Sequence, residues 1–367
     1  MSDLERRLGE SLKSVRAAVA ESRAERSVAA HAEFRTRLKR RRVTRFATLA
    51  ATAGVMTGVI AIAATQGGDL FQRTERRPSV PATPGEYIAV GENPVGVSVG
   101  GNLAWVASSG GTITRVDPTT NRSTGVSGVG GEPADVVLTP GAVWFSDSGD
   151  GTIKQLDART AKFVGAPLPI GSQGVYIDID VGPEGTIWAT SPDFGALVAI
   201  DASTGEEVRR VLVTSPTELA ITGGSLWTLV EHGAALVRFD FDSSQEAIRV
   251  PMDDVDKTDL ASTATAVYVA EADGTILAVD AATGEVTARA SADGTDPELA
   301  IGMGSLWVVS DGEGTDAKLE RLDLGDLRPD RKATKFVGAP TDVTLGEGSA
   351  WVTDTGRDTV VRLPLSP

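Results

Sequence analysis

The hydrophobic pattern of this 367-residue chain changes character twice. Leu4, Leu8, Leu12, Val15 and Val19 recur close to the helical period, which predicts an amphipathic helix, and Ser2 with Glu5 fits a capping box at its start. From Phe46 to Gly68 no residue is charged, and Leu49, Val55, Met56, Val59, Ile60 and Ile62 supply apolar surface. About 20 helical residues cross a hydrocarbon core of about 30 Å, so residues 46–66 are predicted to be a transmembrane helix. Pro78, Pro81 and Pro84 mark residues 67–85 as an extended linker. From residue 86 onward the pattern becomes short aliphatic runs between Gly- and Asp-rich turns, the signature of strands.

Those runs repeat. Trp105, Trp144, Trp188, Trp227, Trp307 and Trp351 each follow a Gly- and aliphatic-rich approach, and Tyr268 fills the gap in the series. The anchors lie about 40 residues apart, the period of a propeller with several short strands per repeat. A proline precedes the anchor at Pro94, Pro133, Pro216, Pro297 and Pro340. After it comes a strand that ends in Asp, at Asp117, Asp157, Asp201, Asp240, Asp280 and Asp323. These aspartates open turns such as Asp201-Ala202-Ser203-Thr204-Gly205, where a carboxylate caps backbone N–H groups. The expected fold of residues 86–367 is therefore all-β, a seven-bladed β-propeller of four-stranded blades. The last repeat ends at Leu365 after three strands, and a lone strand from Tyr87 to Val90 is free to complete it and close the ring.

Pro94-Val95-Gly96-Val97 with Leu103-Ala104-Trp105-Val106, and Pro340-Thr341-Asp342-Val343 with Ala350-Trp351-Val352, resemble the blades of bacterial seven-bladed propellers. The repeats are similar to the YVTN type and to the streptogramin (virginiamycin B) lyase-like family. The resemblance implies the fold. It also implies a lyase reading, with an inner-strand His, Glu residues and a magnesium ion. Val95, Ala134, Thr217, Thr258 and Thr341 occupy the inner-strand slots after the proline positions, and His232 lies in a turn instead. Catalytic residues are accordingly assigned to none. A lyase-like enzyme with a displaced active site stays as the alternative to a ligand- or protein-binding, sensing module.

Charge sorts the parts. Residues 1–45 hold 13 Lys/Arg against 6 Asp/Glu, whereas residues 86–367 hold 19 against 42. Arg35, Arg37, Lys39 to Arg42 and Arg45 precede the span and hold its N-terminal side in the cytoplasm. The prediction is a single-pass plasma-membrane protein with the propeller outside. Residues 1–45 then form a basic cytoplasmic helical head that lies along anionic lipid or docks a cytoplasmic protein. A cleaved signal peptide is the rival reading, because Ala61-Ile62-Ala63 has small residues in a cleavage spacing, but its basic region would be far too long. The acidic body argues against nucleic acid as a partner, and a chain with no Cys and two His excludes thiolate and multi-His metal sites.

The best site candidate emerges when the repeats are stacked on their anchors. Asp135, Asp178, Glu218, Asp259, Glu298 and Asp342 share one slot near the start of the inner strand, and the first blade has Gly96 there. The next residue is always aliphatic: Val97, Val136, Ile179, Leu219, Leu260, Leu299 and Val343. Strand neighbours face opposite sides, so the carboxylates are expected to face the channel or its rim. Asp147, Glu231, Glu271, Asp311 and Asp354, at the ends of the anchor strands, are expected on the same face. Such a mouth would attract a cationic ligand, a basic protein surface or a divalent cation, the one candidate cofactor. The competing assignment is that the slot carboxylates cap backbone N–H groups. A narrower calcium site is suggested by Asp147-Ser148-Gly149-Asp150-Gly151.

Overall fold

The structure is a computed structural model that describes residues 85–365, apart from 223, 242, 244, 254, 313–315 and 331. The predicted head, transmembrane helix and linker up to residue 84 lie outside the described residues. Among the described residues no helix is long and apolar enough to cross a membrane. Their helical turns are single 3-10 turns at Pro183–Gly185 and Glu231–Gly233.

Seven four-stranded antiparallel sheets form, one per repeat. Their inner strands are Pro94–Gly100, Pro133–Thr139, Ile179–Val181, Leu219–Thr222, Lys257–Ser262, Thr295–Gly302 and Pro340–Gly346. We number the blades 1 to 7 in that order. Each inner strand pairs with its anchor strand, which pairs with the Asp-ended strand and then an outer strand. Blade 7 takes three strands from the C-terminal end and its outer strand, Glu86–Ala89, from the N-terminal side. That strand runs antiparallel to Thr359–Pro364, from Glu86 opposite Arg362 to Ala89 opposite Thr359. It starts and ends one residue earlier than the sequence pattern suggests, and the Val90 N–H bonds the Asp358 carbonyl in the same register. The extra residue of the third repeat is absorbed by the 3-10 turn Pro183–Gly185, where Glu184 adopts a φ of 58°.

The core is divided among the seams. Among the described residues the buried apolar side chains fall into seven clusters, one between each pair of neighbouring blades. The anchor of each blade packs toward the following one: Trp105 sits with Val136 and Phe145 of blade 2, and Trp351 with Val97 and Val106 of blade 1. All seven anchors are buried, Trp227 and Trp351 completely. Burial of a large aromatic at every seam is what makes one chain of weak sheets cooperative.

Polar ties on the rim join the blades as well. In blades 7, 1, 2 and 4 the residue opposite the anchor, on the third strand, reaches a carbonyl in the next blade's Asp turn. Arg362 bonds to Pro118 O, Arg115 to Arg159 O at 3.5 Å, Gln155 to Ala202 O at 3.4 Å and Arg238 to Ala281 O at 2.9 Å. In blade 5 that residue is Ala278, which cannot reach. There the Tyr268 hydroxyl donates to Leu324 O of blade 6 at 2.7 Å. The one anchor that is not tryptophan thus supplies the tie its neighbour lacks. The turn aspartates behave as expected: Asp117, Asp201, Asp280 and Asp323 each accept two backbone N–H groups two and three residues on. These bonds hold the carboxyls of Asp117, Asp201 and Asp280 below their ordinary range.

Candidate functional site

The slot carboxylates sit where the inner-strand ladder breaks. Registers shift between Pro94 and Gly96, Pro133 and Asp135, Lys257 and Asp259, Thr295 and Glu298, and Pro340 and Val343. A bulge of this kind re-aims a side chain and leaves an N–H outside the ladder. Hydroxyls on the anchor strand take the freed donors: the Asp135 N–H bonds to Ser146 Oγ at 3.1 Å and that of Asp178 to Thr190 Oγ1 at 2.9 Å. The aliphatic residue after each carboxylate is buried in a seam, as the alternation requires, and the carboxylates themselves are half-buried.

The bulge also leaves the aliphatic residue's N–H to be satisfied, and four aspartates serve all seven. Asp135 takes Val136 N–H on one oxygen at 2.7 Å and Ile179 N–H of blade 3 on the other at 3.1 Å. Asp178 takes Leu219 N–H of blade 4 at 2.6 Å. Asp259 takes Leu260 N–H and Leu299 N–H of blade 6, each at 2.7 Å. Asp342 takes Val97 N–H of blade 1 at 2.6 Å and lies against Val343 N–H. The blades without a slot aspartate are served by the blade before them. Gly96 is one of these: a Cβ there would meet Ala134 O and the Asp135 Cα at 3.1 Å. Glu218 and Glu298 cap none of the seven. One more methylene carries their carboxylates past the reach of the strand backbone.

The electrostatics follow from this crowding. Burial, and then the neighbouring carboxylates, push Asp178, Glu218, Glu298 and Asp342 well above their ordinary range. Burial raises Asp135 as well, against the two N–H bonds that favour its charge. Asp259 is pushed up to about 7, chiefly by burial. The Glu218 and Asp135 carboxylates together raise Asp178, which couples blades 2, 3 and 4 electrostatically. The six side chains are therefore brought together into one mutually repelling ring.

Two members of the ring escape a reading of the sequence. Asp180, two residues beyond Asp178 on the same strand face, is raised by burial to about 6 and accepts the Val181 N–H at 2.7 Å. Its alternation with Asp178 was the available signal. Tyr176 lies in the segment leading into the inner strand of blade 3. Burial, Glu218, Asp178, Asp135 and Asp342 raise its hydroxyl well above the usual value. Those carboxylates come from four blades, so Tyr176 lies toward the axis the blades share. Nothing in its local sequence marks it.

Three of the five acids at the anchor-strand ends, Asp147, Glu231 and Asp354, are a correction to the expected acidic face. Asp147 is fully buried; one oxygen accepts Glu132 and Gly149 N–H, and the other pairs with Lys154 Nζ at 2.7 Å. Asp354, also fully buried, caps Ala339 and Gly356 N–H and pairs with Arg357 at 3.1 Å. Glu231 pairs with Arg249 at 2.8 Å. These charges are neutralised within the fold. The calcium reading of residues 147–151 falls for the same reason: Lys154 Nζ lies 2.7 Å from both Asp147 and Asp150 and bonds Val129 O, so an ammonium holds the cation's place. Among the described residues no three Asp, Glu or His side chains gather in a metal-holding geometry. His232 is exposed in its turn at a φ of 64°.

No family model matches the chain, and no curated protein does. Solved structures do. Kuenenia stuttgartiensis hydrazine synthase is 15% identical with a TM-score of 0.64, over 81% of this chain and 99% of that one. U3-55K is 9% identical with a TM-score of 0.65, over 77% and 98%. The computationally designed Ika8 protein is 13% identical with a TM-score of 0.58, over 77% and 99%. At these identities the likeness is one of fold. The chain is a β-propeller of seven four-stranded blades, an architecture that serves as a binding scaffold and carries many unrelated functions.

Proposed function

We propose that this chain is a membrane-tethered binding module, with residues 46–66 as its span, its propeller outside the cell and the carboxylate ring as its ligand site. The ligand on this reading is a cationic group, a lysine, arginine or amine presented by a partner. The observation that carries it is the division of labour in the ring. The four aspartates hold the backbone together, whereas Glu218 and Glu298 cap none of those strands and repel each other and their neighbours. A cation between them would remove that repulsion, and the Tyr176 hydroxyl lies within reach of the same carboxylates' field. An organic cation suits the ring better than a metal ion, because no three carboxylates converge as ligands among the described residues.

The test is calorimetric titration with an arginine- or lysine-rich peptide and with magnesium or calcium. Wild type should bind the peptide, and the Glu218→Gln, Glu298→Gln double variant should lose that binding while folding normally. Equal binding by both proteins would move the site elsewhere. The tether is tested separately, by adding protease to intact spheroplasts: the body should be removed and the head protected. Recovery of full-length protein in the soluble fraction would refute the span.

A further inference from the structure

The polar ties described above can be followed seam by seam, and they are unevenly spread. Blade 7 is fastened to blade 1 by Asp342 on Val97, Thr341 Oγ1 on Pro94 O at 3.0 Å, Asp358 on Asn93 N–H at 2.9 Å, and Arg362 on Pro118 O. Blade 5 is fastened to blade 6 by Asp259 on Leu299, Thr258 Oγ1 on Pro297 O at 2.7 Å, and the Tyr268 hydroxyl. Blade 4 to blade 5 lacks the ring tie but keeps Arg238 on Ala281 O, and Ser262 Oγ on Ile221 O at 2.8 Å. Among the described residues the seam between blades 6 and 7 shows neither kind. Glu298 leaves Val343 N–H to Asp342, its own blade's aspartate. Arg321, the residue opposite Trp307, turns back to Ser305 Oγ at 2.8 Å and Asp330 at 3.0 Å within its own blade.

An apolar cluster fills that seam, with Trp307, Val309 and Phe336 against Val343, Val352 and Val361. Apolar contact is non-directional and holds area without fixing register, so such a surface can slide where hydrogen-bonded seams cannot. Like charges flank it, Glu298 on one side and Asp342 on the other. Among the described residues one side-chain pin reaches from a strand of blade 7 to a strand of blade 6. The Tyr87 hydroxyl, on the closing strand of blade 7, donates to Val337 O at 2.9 Å and accepts Val337 N–H of blade 6 at 3.1 Å. Arg357 stacks 5.8 Å from the Tyr87 ring and pairs with buried Asp354, whose other oxygen caps Ala339 N–H in the crossing between the blades.

We infer that the seam between blades 6 and 7 is a slip plane built into the ring, pinned by Tyr87. Blade 7 moves with blade 1, to which it is tied, and shifts against blade 6 when the pin is released. Tyr87 lies two residues after Gly85 and next to Glu86, whose carboxylate accepts a bond from Asn121 of blade 1, so tension or a partner acting where the chain enters bears on the strand that carries the pin. Such a shift would change the spacing of Glu298 and Asp342. The inference does not depend on what the ring binds.

Hydrogen exchange by mass spectrometry on the full-length chain tests it without a ligand. In wild type, amides of 334–346 should exchange faster than those of the seam between blades 5 and 6. Tyr87→Phe should speed exchange across 334–346 by roughly five- to thirtyfold, the loss of one or two hydroxyl bonds, and leave 257–262 and 295–302 unchanged. Tyr268→Phe, which removes one hydroxyl tie from a seam that keeps others, should speed neither region selectively. Equal protection of all seams in wild type, or no local response to Tyr87→Phe, would overturn the slip plane.

Discussion

Asp259 offers a test in which the sign of an effect reverses with pH. Its carboxyl is raised from the ordinary 3.8 to about 7, so the unfolded chain ionises it long before the folded one does. Its contribution to stability is full below the unfolded value and drains as pH rises through about 7. Between pH 5 and pH 8 that loss is about 3 kcal/mol for Asp259, and the same reasoning gives about 1 kcal/mol for Asp180. The turn aspartates Asp117, Asp157, Asp201 and Asp280 have lowered values, so their contribution is present above the unfolded value and disappears as pH falls below it. Stability should therefore peak in mildly acidic solution, near pH 5. Asp259→Asn cannot ionise but has one acceptor oxygen for two N–H groups, a loss of about 1–3 kcal/mol. The variant should be less stable than wild type at pH 5 and should match or exceed it at pH 8. Urea titrations followed by tryptophan fluorescence at both values measure this directly, since all six tryptophans lie in the propeller. Parallel pH profiles for the two proteins would refute the claim that burial and crowding, rather than the N–H bonds, dominate this carboxyl.

Other substitutions address single contacts. Trp227→Ala, at a fully buried anchor between blades 4 and 5, should destabilise by about 3–5 kcal/mol in the same assay. Lys154→Met strands buried Asp147 and should lower stability by about 3–5 kcal/mol, and added calcium should restore little of it. Glu218→Gln and Glu298→Gln should raise stability at pH 8, in contrast to Asp135→Asn, because neither glutamate caps a strand. His232→Ala should leave both stability and peptide binding unchanged, because the side chain is exposed in a turn.

The blades were legible because a seam needs one large aromatic at a fixed place, and tryptophan is conspicuous. The closing strand was legible because a three-stranded last repeat demands a fourth strand. The slot carboxylates could be placed together by alternation alone. Their division into capping and free members could not, since it turns on how far one methylene carries a carboxylate beyond a bulged strand. Bulges leave no mark in a hydrophobic pattern. Asp147 and Asp150 drew a cation reading because acidic spacing shows on the page, whereas Lys154 becomes their partner only when the hairpin folds it back. Tyr176 and Tyr87 act across blades far apart in sequence, and no local window contains both halves of such a contact.

The distribution of Asp and Glu around the ring joins these points. A slot aspartate can serve its own strand and the next, so four of them suffice for seven blades and three slots are released from that duty. Blade 1 fills its released slot with Gly96, where a Cβ would crowd Ala134 O and the Asp135 Cα. Blades 4 and 6 fill theirs with glutamates, which add charge and repulsion without adding a backbone tie. A fold selected for stability alone would favour a neutral residue at both places. At blade 6 the released slot coincides with the seam whose rim tie is also missing, so the same substitution that frees a carboxylate loosens the ring beside it. Binding and compliance would then be two consequences of one choice, Glu for Asp at residue 298.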